Sequence, residues 1–379
     1  MDSEMKKFLI VNKQFFPDIG GVETVVAKYA NFASDNNEVT ILCCSRDLSL
    51  KTKIEKYDKI NIIRCSSFGT FKSMPISISF IYYFFKEINK HEVINFHYPF
   101  PMIDFFYFFY PYKNRKRIFV TWHSDIIKQK WLKRFFKPFT RSLINKATVI
   151  ATSLPLKESS DFLKNKDDVT ILPLSCERYE SYKEIKKDYF GRDLPNEFVL
   201  FQGRLAYYKG LDVLLNAYLN LKEQGYSSEN IPKLIISGDG DLKEFMLNYI
   251  ADNNLENYIY PLCRFVNNDE KAWLFKKCKF FIFPSTHPSE AFGLVQLEAM
   301  SEGKPVINTM LPTGVPWVSV DKETGLTVRP SCSRQLSEAI FELSSNKENL
   351  NVLGQNAKQR FDGNFDDRLI KHKFNKIIG

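Results

Sequence analysis

Two carboxylates stand eight positions apart in SEAFGLVQLEAMSEGKP (Ser289–Pro305): Glu290 in a polar loop and Glu298 inside an apolar run. An ionised carboxylate in apolar surroundings is costly without partners, so the spacing asks what the two acids hold. The helix-like segment starts near Phe292 or Gly293. The free N–H groups of Gly293 and Leu294 would then form an anion site at its N-terminus. Glu298 lies roughly 7.5 Å further along, at about 1.5 Å per residue. If a nucleotide diphosphate sits at the helix start, Glu298 reaches its ribose hydroxyls, and Glu290 reaches hydroxyls of the group beyond the phosphates. The plainer alternative is an N-terminal-turn acid and a paired core glutamate.

Earlier in the chain, FQGRLAYYKG (Phe201–Gly210) places Arg204 and Lys209 between a strand-like run and a helix-like run. Arginine offers forked charge-assisted bonds and lysine a point charge, which suits a diphosphate; a solvated loop is the alternative. Asp239 and Asp241 in SGDGD have Asp-x-Asp spacing that could hold Mg²⁺ or Mn²⁺. Their place after a strand and before a helix favours a turn and cap, and two cations already answer the phosphates, so no metal is expected. His123 ends RIFVTWHS, and Gly20 and Gly21 fall in PDIGGVETVV. Taken alone, these read as a capping or core histidine and a turn.

The elements that must position these residues alternate regularly. KKFLIVNK, EVTILCC, KINIIRC, EVINFHY, RIFVTWHS and ATVIATS are short apolar runs with helical-period segments among them, the first being VETVVAKYANFAS. This is the pattern of an open parallel sheet with helices on its faces. A polar, turn-rich stretch between Pro173 and Asn196 reads as a linker. A second alternating run follows from EFVLFQGR to SRQLSEAIFELSSN, and the chain closes on the basic amphipathic segment FDDRLIKHKFNKII. Two α/β domains in tandem result, with ligand sites expected at the carboxyl ends of strands, in a cleft between the domains. The boundaries are 1–180 for the first domain and 195–360 for the second, with a helix over about 362–379 packing back on the first.

Composition narrows the class. The 379 residues carry 53 Lys and Arg against 44 Asp and Glu, a net charge of +9, which suggests an anionic partner. The seven cysteines are odd in number and form no C-x-x-C pair, so reduced thiols fit better than disulfides or zinc. The start, MDSEMKKFLIVNK, has no signal-peptide pattern. The most apolar stretch, FHYPFPMIDFFYFFYPY (Phe96–Tyr112), is broken by prolines and Asp104, so a transmembrane helix is not expected.

FQGRLAYYKG together with PSTHPSEAFGLVQLEAMSEGKPVI resembles the retaining glycosyltransferases of family 4, which have the GT-B fold of two Rossmann-like domains facing a central cleft. The E-x-(7)-E element of that family matches Glu290 and Glu298. The resemblance extends through SGDGDLKEFM, LPTGVPWVSVDKETGLTV and PDIGGVETVV, nearly the whole chain. It implies that Arg204 and Lys209 bind the diphosphate, that Glu298 binds the ribose and that Glu290 contacts the donor sugar. It also implies that the backbone around Phe292, Gly293, Leu294 and Val295 contacts sugar and phosphate, and that His123 stands near the reacting centre. Gly20 and Gly21 would let the chain pass close to phosphate or acceptor. The chain departs from the family at Cys263 and Ser175, where relatives often have glycine; the resemblance implies that the loop with Cys263 and Arg264 helps hold the base.

The implied activity is retaining transfer of a hexose or N-acetylhexosamine, without cofactor or metal, to a lipid-linked or saccharide acceptor in O-antigen or capsule synthesis. A UDP-sugar is the preferred donor and GDP-mannose the second. An epimerase or phosphorylase on the same fold is an alternative, although no cofactor lysine site for a phosphorylase is evident; a non-catalytic nucleotide-sugar-binding protein at the membrane surface is another. Eleven cations between Lys113 and Lys146 (Lys113, Arg115, Lys116, Arg117, Lys128, Lys130, Lys133, Arg134, Lys137, Arg141 and Lys146) face one acid, Asp125. With Trp131, Phe135 and Phe139 at helical spacing, they suit peripheral attachment to an anionic membrane, at the inner face of the cytoplasmic membrane. Pro138 suggests two short helices here. Such a face could also bind single-stranded nucleic acid, but no nucleic-acid module is visible.

Overall fold

The computed structural model describes residues 5–17, 20–71, 74–110, 116–125, 130–179, 190, 193–226 and 229–379, with the backbone alone at 71 and 130–133. The chain divides into two compact units. Unit 1 comprises Met1–Pro173 and Ile370–Gly379, and unit 2 comprises Leu174–Leu369.

Unit 1 is built on β1 (Lys6–Val11), β2 (Asn37–Cys44), β3 (Lys53–Tyr57), β4 (Ile60–Cys65), β7 (Val93–Tyr98), β8 (Arg117–Trp122), β9 (Thr148–Ala151) and β10 (Val169–Ile171). They form one sheet in the order β10-β9-β8-β7-β1-β2-β4-β3. Every pair is parallel except β3 with β4. A parallel sheet is covered on both faces, so its strands are continuously apolar; Phe8 through Val11 are all fully buried. Edge strand β3, KIEKY, is mostly exposed and charged, which discourages pairing with another chain. Two short strands, β5 (Thr70–Phe71) and β6 (Met74–Pro75), form a separate hairpin. The helices are α1 (Gly21–Ala33), α2 (Ile78–Lys90), α3 (Pro101–Phe108), α4 (Lys130–Lys146) and α5 (Leu154–Ser159).

α4 runs unbroken through Pro138, where the sequence suggested two helices. Proline removes one hydrogen bond, but the face holding Thr140, Leu143 and Ile144 is buried, and Phe139 packs on Phe105 and Phe108 of α3 at 5.3 and 5.1 Å. That packing holds the helix together across the missing bond.

Unit 2 contains β11 (Val199–Gln202), β12 (Leu234–Ser237), β13 (Ile259–Pro261), β14 (Phe281–Ile282), β15 (Val306–Thr309) and β16 (Gly325–Val328), in the order β13-β12-β11-β14-β15-β16. All its pairs are parallel. Its helices are α6 (Leu211–Glu223), α7 (Lys243–Asp252), α8 (Asn268–Lys277), α9 (Leu294–Ser301), α10 (Val315–Val318), α11 (Ser333–Ser345) and α12 (Lys347–Asn364). The residues just after Pro173 belong to this unit: Arg178 pairs with Asp362 at 3.1 Å and Asp366 at 2.5 Å.

α13 (Asp367–Ile378) returns the chain to unit 1 from Ile370 onward. Its Phe374 packs on Tyr29 at 4.4 Å and Phe32 at 6.1 Å, and Lys371 pairs with Asp35 at 2.5 Å.

Each sheet has one point where the crossovers turn in opposite directions, with β1 between β7 and β2, and β11 between β12 and β14. Loops leaving the carboxyl ends there diverge and open a crevice, the usual ligand position in such sheets.

Candidate active site

In unit 2 the crevice lies between the loops after β11 and β14. The first carries Arg204 and a 3-10 turn, Tyr207–Lys209, and the second carries Glu290. Gly210 joins them. Its φ is +69°, and a Cβ there would stand 2.0 Å from the Pro284 carbonyl oxygen; only glycine tolerates both conditions. The Thr286 N–H donates to the Tyr208 carbonyl at 2.9 Å, a second tie between the loops. Gly238, at φ +148°, brings the end of β12 against Gly203, where a Cβ would meet the Gly203 carbonyl at 1.9 Å.

These approaches bring Lys209 and Glu290 together. Lys209 Nζ lies 2.5 Å from Glu290 Oε2, with the two side chains 13% and 12% exposed. The Ser285 hydroxyl donates to the same carboxylate at 3.4 Å, and the ammonium stands 5.0 Å from the centre of the Phe283 ring. The sequence assigned Lys209 to phosphate and Glu290 to sugar without foreseeing that they pair with each other. Arg204, earlier in the same loop as Lys209, is exposed.

Helix α9 begins at Leu294, with Gly293 as its N-cap at φ +79°. A Cβ on Gly293 would come within 2.6 Å of the Phe283 ring. Leu294 and Val295 form the first turn, whose N–H groups have no carbonyl one turn back within the helix. Phe292 is buried against Trp317 and Phe365, each at 6.2 Å, so its side chain belongs to the core and only its backbone is available to a ligand.

Glu298 forms an ion pair with Lys271 of α8, at side-chain exposures of 16% and 24%. The pairing matches the plainer of the two readings of Glu298: a lysine 27 positions earlier compensates its charge. Arg264 grips Glu270 through two bonds of 2.9 and 2.5 Å, and Glu270 closes the capping box of α8 with Asn267. This holds the Glu270 carboxyl below its ordinary range, chiefly through the Arg264 hydrogen bond. Arg264 thus has a structural task. Cys263 beside it has φ +55°, a left-handed conformation that glycine adopts more easily. Asp239 accepts from its neighbour Gly240 at 2.9 Å and lies 3.8 Å from Lys243, the geometry of a turn.

In unit 1 a cavity of about 330 Å³ opens at the ends of β1 and β7, lined by Asn12, Lys13, Gly20, Glu23, Arg46 and Tyr98 among others. Burial lowers the Lys13 pKa, opposed by the Glu23 charge. Gly20 caps α1 with an extended φ of −154°, where a Cβ would meet the Glu23 carboxylate, the far end of a flexible side chain, at 2.2 Å, and a Cβ at Gly21 would meet nothing within 4 Å. The backbone therefore does not require this glycine pair.

His123 follows β8 and is buried. Its Nε2 lies 2.9 Å from Nδ1 of His97 at the end of β7, with ring centres 5.1 Å apart. Burial, then the Lys13 charge, pushes its pKa down to about 3. The sequence reading missed His97, Lys13 and Lys271. A polar residue inside the apolar run VINFHY was the available signal for His97; a lone lysine after a strand carried none.

Part of the basic run has structural work. Lys116 donates to the carbonyls of Ile88 and His91 at the end of α2, and Arg117 to those of Ile377 and Ile378 at 3.3 and 3.0 Å, ending α13. Cations at helix C-termini satisfy otherwise unpaired carbonyls. Arg134, Lys137, Arg141 and Lys146 are exposed, as is Phe135. Lys113, Arg115 and Lys128 lie outside the described residues, as do the side chains of Lys130, Trp131 and Lys133.

Each of the two α/β units has its crevice at a strand-order switch, the layout of a nucleotide-binding α/β enzyme. Residues 183–360 match the family Glycosyl transferases group 1, and residues 19–173 match Glycosyltransferase Family 4. The chain belongs to the family 4 glycosyltransferases and has the GT-B fold. It is 28% identical over 370 residues to the O-antigen chain mannosyltransferase C of Escherichia coli, covering 96% of each chain. It is 30% identical over 293 residues to the D-rhamnosyltransferase WbpZ of Pseudomonas aeruginosa, covering 76% of this chain and 74% of that protein. Among solved structures, sucrose-phosphate synthase from Thermosynechococcus elongatus aligns over 98% of each chain with a TM-score of 0.74 at 16% identity, a likeness of fold.

Proposed function

We propose that this chain transfers a hexosyl group, with retention, from a nucleotide-diphosphate sugar to a hydroxyl of a lipid-linked saccharide in O-antigen-like polysaccharide synthesis. The observation that carries the proposal is the pairing of Lys209 with Glu290, in the loop that leads into α9, at the strand-order switch of unit 2. As the glycosidic bond breaks, negative charge grows on the leaving diphosphate. Arg204, Lys209 and the first-turn N–H groups of α9 stabilise it. A single preorganised donor of this kind is worth about 10²–10³ in rate. No metal is required in this scheme because the two cations and the helix terminus supply the positive field.

Glu290 accepts hydroxyls of the donor sugar, and donor binding exchanges its Lys209 partner for phosphate and sugar. Glu298, already beside Lys271, accepts the ribose hydroxyls as a paired carboxylate. His123 serves the reacting sugar, and the cavity with Lys13, Glu23 and Arg46 receives the acceptor. A mannosyl donor, as GDP-mannose, now takes precedence over a UDP-sugar. The support is the E. coli relative, a mannosyltransferase matched along almost its whole length.

Among the described residues no helix is long and apolar enough to cross a membrane. We place the exposed side of α4, with Arg134, Lys137, Arg141 and Phe135, against an anionic lipid surface, which would hold the enzyme beside a lipid-linked acceptor.

The test is nucleotide release from GDP-mannose, UDP-N-acetylglucosamine and UDP-glucose in the presence of a lipid-linked saccharide extract, with the anomer of the product read by NMR. Release with GDP-mannose and an α-linked product are expected. No release with any donor overturns the assignment, and a β-linked product overturns retention.

A further inference from the structure

Two buried histidines face each other ring to ring. His97 is 1% exposed and His123 6%. His97 Nδ1 and His123 Nε2 are 2.9 Å apart, and the rings are inclined at 23°. Tyr29 of α1 closes over His97 with ring centres 5.9 Å apart. Burial holds both imidazoles neutral, each well below its ordinary pKa. Two neutral rings in this arrangement share one proton between the facing nitrogens, so one ring must donate and the other accept.

The two choices differ in what they leave behind. If His123 donates from Nε2, then His97 accepts at Nδ1 and must carry its own proton on Nε2. That atom is fully buried and has no hydrogen-bond partner, so a donor would be stranded. If His97 donates from Nδ1, its Nε2 keeps only a lone pair. A stranded buried N–H is rarer in proteins than an under-used acceptor, and a stranded polar group bears its full desolvation cost. The second choice is therefore the stable one. It places the proton of His123 on Nδ1, the nitrogen not engaged by His97.

We propose that His97 is a positioning residue that fixes His123 as the Nδ1–H tautomer, making His123 a hydrogen-bond donor to a substrate hydroxyl oxygen. The substrate part of this proposal rests on the glycosyl-transfer reading above; the tautomer part does not. A histidine locked in the opposite tautomer would present a lone pair, demand a donor from the ligand, and so select a different orientation of the hydroxyl.

The experiment uses the full chain labelled with ¹⁵N-histidine; five histidines make the two-bond ¹H–¹⁵N spectrum assignable with single His→Gln variants. His123 protonated at Nδ1 and bare at Nε2 is expected; protonation at Nε2 overturns the proposal. In parallel, kcat and KM are measured with GDP-mannose and lipid-linked saccharide for His97→Leu and His97→Asn. The Asn amide N–H can stand where Nδ1–H stood, so it should restore transfer. The Leu variant should lose about tenfold in kcat, the scale of one hydrogen bond. Equal rates for the two variants also overturn the proposal. If the unmodified protein transfers no sugar, the functional reading fails, while the tautomer is still decided by the spectrum.

Discussion

Replacing Lys209 by alanine separates the two roles assigned to this side chain. Its ammonium lies 2.5 Å from Glu290, with the side chains only 13% and 12% exposed. Its removal leaves a nearly buried carboxylate whose remaining donor among the described residues is the Ser285 hydroxyl at 3.4 Å. Breaking a fully buried pair costs about 3–5 kcal/mol. With residual exposure and one hydroxyl still in place, we expect about 2 kcal/mol here. A domain with the usual stability of about 5–15 kcal/mol survives that loss. The catalytic loss is separate. Without the point charge on the leaving diphosphate, kcat should fall by about 10²–10³. Thermal melting and nucleotide release are measured on Lys209→Ala, Glu290→Gln and the double variant. The double variant should melt above Lys209→Ala, because neutralising Glu290 removes the stranded charge, yet it should remain inactive. Turnover of Lys209→Ala within tenfold of the unmodified protein refutes the diphosphate role. A double variant no more stable than Lys209→Ala refutes the argument from pairing.

Burial pushes the Asp104 carboxyl up to about 8 from 3.8, so between those values the folded chain holds a proton that the unfolded chain has lost. Stability should therefore fall as pH rises from about 4 to about 8, by at most about 6 kcal/mol. Asp104→Asn should flatten that dependence in melts taken across the range, and an unchanged profile counts against it. Gly210→Ala should destabilise by about 2–4 kcal/mol and abolish transfer, because its Cβ meets the Pro284 carbonyl and forces the Lys209 and Glu290 loops apart; a stable, active variant contradicts the stitching of the loops. Phe135→Ser with Lys137→Ser should reduce flotation with phosphatidylglycerol vesicles while leaving release from a soluble saccharide acceptor unchanged, and full flotation removes α4 from the membrane surface.

The strand and helix periods were legible because a parallel strand buried on both faces is apolar along most of its length, as KFFIF, EVINFHY and EVTILCC are. Motif residues could be placed in loops after strands for the same reason. Cys263, where the resembled family often has glycine, has φ +55°: that local demand on the backbone shows in the family's residue type and not in this chain's own. The amino-acid sequence by itself therefore determined two α/β runs and which loops carry polar, ligand-suited residues. Which of those residues meet was decided only by the tertiary structure. Lys209 reaches Glu290 across 81 positions, and His97 reaches His123 across 26. Lys271 meets Glu298 only because α8 and α9 lie side by side. Periodicity records which face of an element is buried, but strand order and crossover direction determine which loops are neighbours. A charge partner on another loop leaves no periodic trace, since a lysine in water and a lysine against a buried carboxylate are the same letter.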